Sequence, residues 1–300
     1  MQKEKELEIE GGRLYYRMEE EGAAITGCRI TDSRIALPDR IEGQPVTLIE
    51  RKAFLSCKQL KEIRLPEGLR QIGDWAFAYC SRLAYVWLPR RNLLMGKGVF
   101  KECEALAGIF PLDADTPEEM QRGMLLGSVP VKLEVEYLFT PGETEGEIWL
   151  TRYDERLRLF LYQPDEDGYS KMVYCGEEDI MSNLDLYLAE RRRAKARMCF
   201  LRLNNPVALS EEFKEELQQY LRDHTKGCQS EAAWEVVFGE HGSEQEYYAA
   251  FTKAGCLTDE NYDAVLSQMG EQYPEMKGYL MRYHSQNRET EDFFDMLSLD

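Results

Sequence analysis

Apolar residues recur at fixed offsets along the first third of the chain. Phe54, Phe77 and Phe100 share one column, Cys57, Cys80 and Cys103 a second, and Leu60, Leu83 and Leu106 a third. Ile63, Val86 and Ile109 follow, and Ile49, Ile72 and Met95 precede each copy. The interval is 23 residues (54, 77, 100), and the first two copies read I-x3-A-F-x2-C-x2-L-x2-I-x-L-P. In the third, Val99 replaces the alanine and the ending becomes "IFP". A looser copy precedes them, "ITGCRITDSRIALPDRIEGQPVTLI". Its "IALP" stands 28 residues before "IRLP", the 23-residue period plus a five-residue insertion around "EGQPV".

A period of this length predicts a solenoid, in which each coil buries its apolar edge only by stacking on its neighbours. Alternation within "EIRLP" and "YVWLP" sends Ile63, Leu65, Val86 and Leu88 inward. Pro66 and Pro89 end those strands by withholding a ladder donor. The "AFxxC" half bends the chain back as a short helical or 3₁₀ turn, and a small reduced thiol suits that dry corner. Three thiols in register also raise the idea of a metal site. Coils about 4.8 Å apart put the outer sulfurs about 10 Å from each other. One zinc, with Zn–S bonds of about 2.3 Å, does not span three rungs. The cysteines are therefore expected to be structural.

The three copies, the "IEGQPVTLIERKAF" lead-in and the "LPxxLxxIGxxAF" junction resemble the leucine-rich repeats of the BspA type, over about residues 13 to 112. The resemblance implies a short right-handed leucine-rich repeat solenoid with a parallel sheet; with the α-helical domain read from the later sequence, the expected class is α+β. The resemblance also implies a role in binding other macromolecules. In such repeats the outward strand positions form the contact face, here Glu62 and Arg64, Tyr85 and Trp87, Gly108 and Phe110. Tyr, Trp and Arg are the usual interface anchors, so Arg64, Tyr85, Trp87, Arg90 and Phe110 are the candidate partner-binding residues. A competing expectation is that the chain's own second half covers these aromatics, because a solenoid of so few coils needs a cap.

Beyond residue 112 the pattern changes. Residues 113–178 read as a mixed connecting segment and 179–300 as an α-helical domain. "VKLEVEYLF" (131–139) alternates like a strand. In "EIWLTRYDERLRLFLY" the stripe Trp149, Tyr153, Leu157, Phe160 and the lack of β-branched residues after Arg152 favour a helix. "QPDEDGYS" is a turn; Asp165 and Asp167 match only a fragment of a calcium loop. Later helices are placed by Ser210 as an N-cap, Ser230 as another, a capping box at Ser243 and Glu246, and Pro274 in a first turn. The stretch "AGCLTDENYDAVLSQMGEQYPEMKGYLMRY" resembles an ankyrin-like helix pair, which implies stacked helices used for binding. The tail "RETEDFFDMLSLD" reads as a docking helix or an exposed peptide.

Composition narrows the chemistry. The 300 residues are 43% hydrophobic and 11% aromatic, with a formal charge of −18, which predicts a globular chain and disfavours nucleic acid and anionic lipid. "RRRAKAR" with Arg202 makes one basic helix face, for which pairing with nearby acids is expected. The N-terminus shows no apolar run after its charges, and no run is long enough for a membrane span, so a cytoplasmic protein with reduced cysteines is expected. His224, Cys228, His241 and Cys256 are the other metal-capable residues. The first pair has i, i+4 spacing but a predicted helix end at Gly227 between them, and the second pair has no regular spacing. No metal, cofactor or catalytic residue is expected. The leading reading is a non-catalytic protein-interaction module or scaffold with unidentified protein partners. A regulatory accessory subunit of an enzyme complex is the alternative. A hydrolase using Glu177, Glu178 and Asp179 is a third reading, and nothing beside those acids supports it.

Overall fold

The computed structural model of the protein describes residues 3–169 and 183–297. Strands β1 (Lys5–Ile9), β2 (Gly12–Glu19) and β3 (Gly22–Ile30) open the chain as an antiparallel meander. Strands β4 (Arg34–Ala36), β5 (Arg40–Ile41) and β6 (Gln44–Ile49) come next. At the repeat period follow β7 (Glu62–Arg64), β8 (Gln71–Ile72), β9 (Tyr85–Leu88), β10 (Leu94–Met95) and β11 (Gly108–Pro111).

From β3 onward the pairing between coils is parallel. β3, β6, β8 and β10 align Ile25, Ile49, Ile72 and Met95 in one row. A second parallel sheet, β4-β7-β9-β11, aligns Ile35, Ile63, Val86 and Ile109. Both rows are the columns of the sequence repeat, and their isoleucines and valine are buried. The insertion between the first copies is a hairpin joining β5 to β6. Its corner, Glu42 and Gly43, has φ of 50° and 79°, the left-handed pair that a tight primed turn requires.

The "AFxxC" segments close each coil. Two positions in each adopt left-handed φ, namely Lys52 and Ser56, Trp75 and Tyr79, Gly98 and Glu102. Between them the backbone bonds coil to coil: Phe54 N–H donates to the Ala76 carbonyl (2.8 Å) and Phe77 N–H to that of Val99 (3.0 Å). The rings of Phe54, Phe77 and Phe100 stack at 5.0 and 5.6 Å. Cys80 and Cys103 are buried, and each thiol donates to a phenylalanine carbonyl of the preceding coil at 3.1 Å. Cys57 departs from the expected dry corner. It is half-buried, with its sulfur 3.4 Å from that of Cys28. The coil beneath it is β3, which carries no "AF" turn and so offers no phenylalanine carbonyl.

Helix α1 (Pro117–Ser128) covers β11. A capping box starts it, with Glu119 N–H donating to Thr116 Oγ1 (3.2 Å) and Thr116 N–H to Glu119 Oε2 (3.2 Å). The strand expected at 131–139 is absent. The chain instead makes a π-helical turn at Val129–Leu133, a left-handed Glu134 (φ 51°) and a 3₁₀ turn at Glu136–Leu138. With α1 lying on β11, the alternating residues have no ladder to join, and only Leu133 and Leu138 turn fully inward. Helix α2 (Glu147–Tyr162) forms as its stripe predicts, burying Trp149, Tyr153, Leu157 and Phe160.

The chain divides into two compact units, Met1–Leu157 and Arg158–Asp300, with the division inside α2. In the second unit come α3 (Leu184–Asn204), α4 (Glu211–Asp223), a short helical segment at Ala232–Trp234 running into a π-helical turn, α5 (Gln245–Lys253), α6 (Asp259–Met269) and α7 (Pro274–Leu297). Trp234 lies at its centre, with Phe238 and Phe251 within 5.5 Å between ring centroids. Ser210 caps α4 as expected, accepting from Phe213 N–H at 3.2 Å. Ser230 and Ser243 do not cap: Glu231 and Glu244 occupy those N-cap positions, so each serine falls one residue too early. The side chains of the 288–300 tail and the acids Glu177, Glu178 and Asp179 lie outside the described residues.

Candidate functional site

The face of the β4-β7-β9-β11 sheet carries the residues singled out from the sequence, and α1 divides them. Phe110 does not face solvent: it is 1% exposed, lodged beneath α1 at Gly123, where a Cβ would stand 2.1 Å from its ring. A partner-contact role for Phe110 is thereby corrected, because its ring belongs to the cap. Arg90 is also engaged. It binds Glu119 (2.5 Å), Asp113 (3.1 Å) and Glu145, tying the end of β9 to α1 and to the loop before α2. Glu119 answers with a carboxyl held at about 2, through Arg90 first and then the N–H groups of Asp115 and Thr116.

Trp87 is half-buried between Phe110 (4.9 Å) and the Arg64 guanidinium (5.1 Å), and its indole N–H donates to Glu62 at 3.0 Å. Arg64 is fixed at its tip by the Leu112 carbonyl at 3.0 Å. Tyr85, 39% exposed, lies alongside Phe110 at 6.0 Å. Three of the five candidates, Arg64, Trp87 and Tyr85, thus form one fixed surface. The cover over Phe110 comes from α1, within the first 157 residues and not from the chain's second half as the competing expectation had it, and Tyr85 stays open.

A second exposed aromatic group went unpredicted. Trp75 (38% exposed) and Tyr79 (48%) stand on the turns, with Arg51 and Lys52 each 5.0 Å from the Trp75 ring. They sit at the left-handed positions flanking each "AF", which vary from coil to coil while the phenylalanine and cysteine repeat. That variation was the available signal.

The four metal-capable residues of the helical half are not brought together. His224 stacks on Tyr220 at 4.1 Å, His241 on Tyr247 at 3.6 Å, Cys256 is buried, and Cys228 is exposed. Among the described residues no group of three or more His, Cys, Asp or Glu side chains is placed to hold a metal ion. The basic face of α3 is paired: Arg197 with Glu190 (2.6 Å) and Glu240 (2.7 Å), Arg193 with Glu190 (2.8 Å), Arg192 and the buried Lys195 with Asp165 (2.8 and 2.7 Å). Asp165 is therefore an ion-pair acceptor. Buried Arg202 donates to the carbonyls of Asn205 and Val207. No helix among the described residues is long and apolar enough to cross a membrane.

Residues 28–114 match the family model described as "BspA type Leucine rich repeat region (6 copies)". The match ends before the helices for which an ankyrin-like pair was expected. Among solved structures, the chain is similar to a leucine-rich repeat protein of T. pallidum (34% identity, 36% of this chain and 50% of that one, TM-score 0.32). It is also similar to a leucine-rich cell surface protein of Faecalibacterium prausnitzii (22%, 36% and 30%, TM-score 0.30) and a leucine-rich repeat protein of Bacteroides capillosus (25%, 38% and 91%, TM-score 0.31). The matched part spans half the length of the first and less than a third of the second. Among curated proteins none matches the chain. With six matched copies lying on the stacked coils, residues 28–114 are a BspA-type leucine-rich repeat region, a scaffold that points to interaction with proteins or surfaces.

Proposed function

We propose that the protein is a non-catalytic interaction module working in the cytoplasm, which holds a protein partner on the sheet face around Tyr85, Arg64 and Trp87. The observation that carries this reading is the fixed, part-exposed stack of Arg64 over Trp87 beside the open Tyr85. Aromatic and arginine side chains held in place before binding lose little freedom on docking, and such residues dominate interface energies. Cys80 and Cys103, buried thiol donors in this fold, are compatible with a reducing, cytoplasmic setting. An enzyme partner would make the protein an accessory subunit by the same physical means.

The test is affinity capture from the source cell with wild type and with the Tyr85→Ala/Arg64→Ala double variant, followed by mass spectrometry. A partner held by wild type and lost by a variant of unchanged thermal stability supports the reading. An identical captured set for both overturns it.

A further inference from the structure

The turn ladder has a direction and an open end. Lys52, Phe54 and Ser56 N–H groups donate to the carbonyls of Asp74, Ala76 and Ala78 on the next coil, at 3.1, 2.8 and 2.9 Å. Trp75, Phe77 and Tyr79 repeat this toward Lys97, Val99 and Lys101, at 2.9, 3.0 and 2.8 Å. The corresponding donors of the last coil are Gly98, Phe100 and Glu102, and no further coil follows. Among the described residues no acceptor meets these three N–H groups. Gly98 and Glu102 nevertheless hold the same left-handed φ (58° and 57°) as their counterparts, so the edge is already shaped for another rung.

These residues line a cleft of about 490 Å³, together with Val131, Val135 and Phe139. Phe139 meets Phe100 edge-on at 5.8 Å and ends the phenylalanine stack. The rim carries the carboxylates of Glu102, Glu104, Glu134 and Glu136 against two ammonium groups, Lys97 and Lys101. None of the six is ion-paired among the described residues.

We propose that this cleft binds a peptide segment bearing lysine or arginine, which takes up the turn conformation of the coils and adds a rung to the turn ladder. Its carbonyls at i, i+2 and i+4 accept from Gly98, Phe100 and Glu102. As when a strand is added to a sheet edge, main-chain bonds supply affinity and side-chain complementarity supplies selectivity. Here the acidic rim selects basic side chains. The site involves different residues from the Tyr85 surface, so variants of one leave the other intact.

The experiment follows amide hydrogen exchange of the full chain by NMR, with a blocked synthetic peptide of sequence GKGVFKE as probe. That sequence stands at residues 96–102 and presents the Lys97, Val99 and Lys101 carbonyls to the coil before it. Free protein should exchange Gly98, Phe100 and Glu102 amides fast and protect those of Trp75, Phe77 and Tyr79. Saturable protection of the first three by the peptide, with affinity reduced about tenfold by Glu134→Lys/Glu136→Lys, supports the proposal. Three outcomes overturn it: no protection up to about 1 mM peptide, prior protection in free monomer, or protection that appears without peptide alongside a dimer in sedimentation, which would make a second copy the occupant.

Discussion

Arg90 shows how one side chain fixes the end of the repeat. Its guanidinium joins Glu119, Asp113 and Glu145, while Glu119 also closes the capping box of α1. The carboxyl is consequently held at about 2 instead of 4.5. For a depressed carboxyl, the stabilising contribution is fully present above the unfolded value and is lost as pH falls through the folded one. Acidification from about 4.5 to about 2 should therefore loosen the α1 cap. Glu119→Gln removes that titration, so its stability profile should run flatter than wild type across the same interval. Urea midpoints collected between pH 5 and pH 2 check this, and parallel profiles would dissociate Glu119 from the acid response. The thiols teach a related lesson. The register of Cys80 and Cys103 was legible in the sequence because each stands three residues after a phenylalanine of the 23-residue repeat. The Cys57–Cys28 contact was not, because no period places Cys28 in the column. The neighbouring Cys28 thiol, and then that of Cys80, hold the Cys57 thiol below its ordinary value, against the opposing pull of burial.

Packing of α1 on β11 depends on two glycines one helical turn apart. At Gly127 an added methyl would meet the Ala107 carbonyl oxygen at 2.7 Å and Gly108 Cα at 2.8 Å, both main-chain atoms that cannot rotate away. Alanine for glycine in a helix ordinarily gains up to about 1 kcal/mol. Here the clash dominates, and Gly127→Ala should cost a net of about 1–3 kcal/mol. Gly239→Ala, where nothing lies within 4 Å, should stay within about 1 kcal/mol of wild type. Urea unfolding of both variants reads the difference as a lowered midpoint at constant slope for the first alone. A stabilised Gly127→Ala would mean that α1 does not lie this close. The sequence reading of elements failed in the same neighbourhood. Val131, Leu133 and Val135 have strand spacing, yet spacing carries no information about whether a ladder edge is free. By contrast, Trp149, Tyr153, Leu157 and Phe160 were legible as a helix because a stripe buried along one face needs only its own periodicity.

At the scale of the whole chain, the first unit closes its own core. The β1-β2-β3 meander covers one end of the coils and α1 part of the other, while Trp149 and Tyr153 of α2 bond back to Leu138 (2.9 Å) and Ser128 (2.8 Å). The repeat made the coils legible from sequence. The meander was not, since β1 is short and its side chains are mostly exposed, leaving no apolar column to follow. A unit with its apolar rows, ring stack and caps drawn from its own residues meets the condition for independent folding. A fragment of residues 1–162, which keeps α2 whole, should therefore purify as a folded β-rich protein and unfold in one cooperative urea transition. Its Trp149 emission should remain blue-shifted until that transition, because the indole is buried against residues of the same unit. If the fragment instead aggregates or melts without cooperativity, residues beyond 162 must complete the core, and the solenoid would be one part of a larger folding unit.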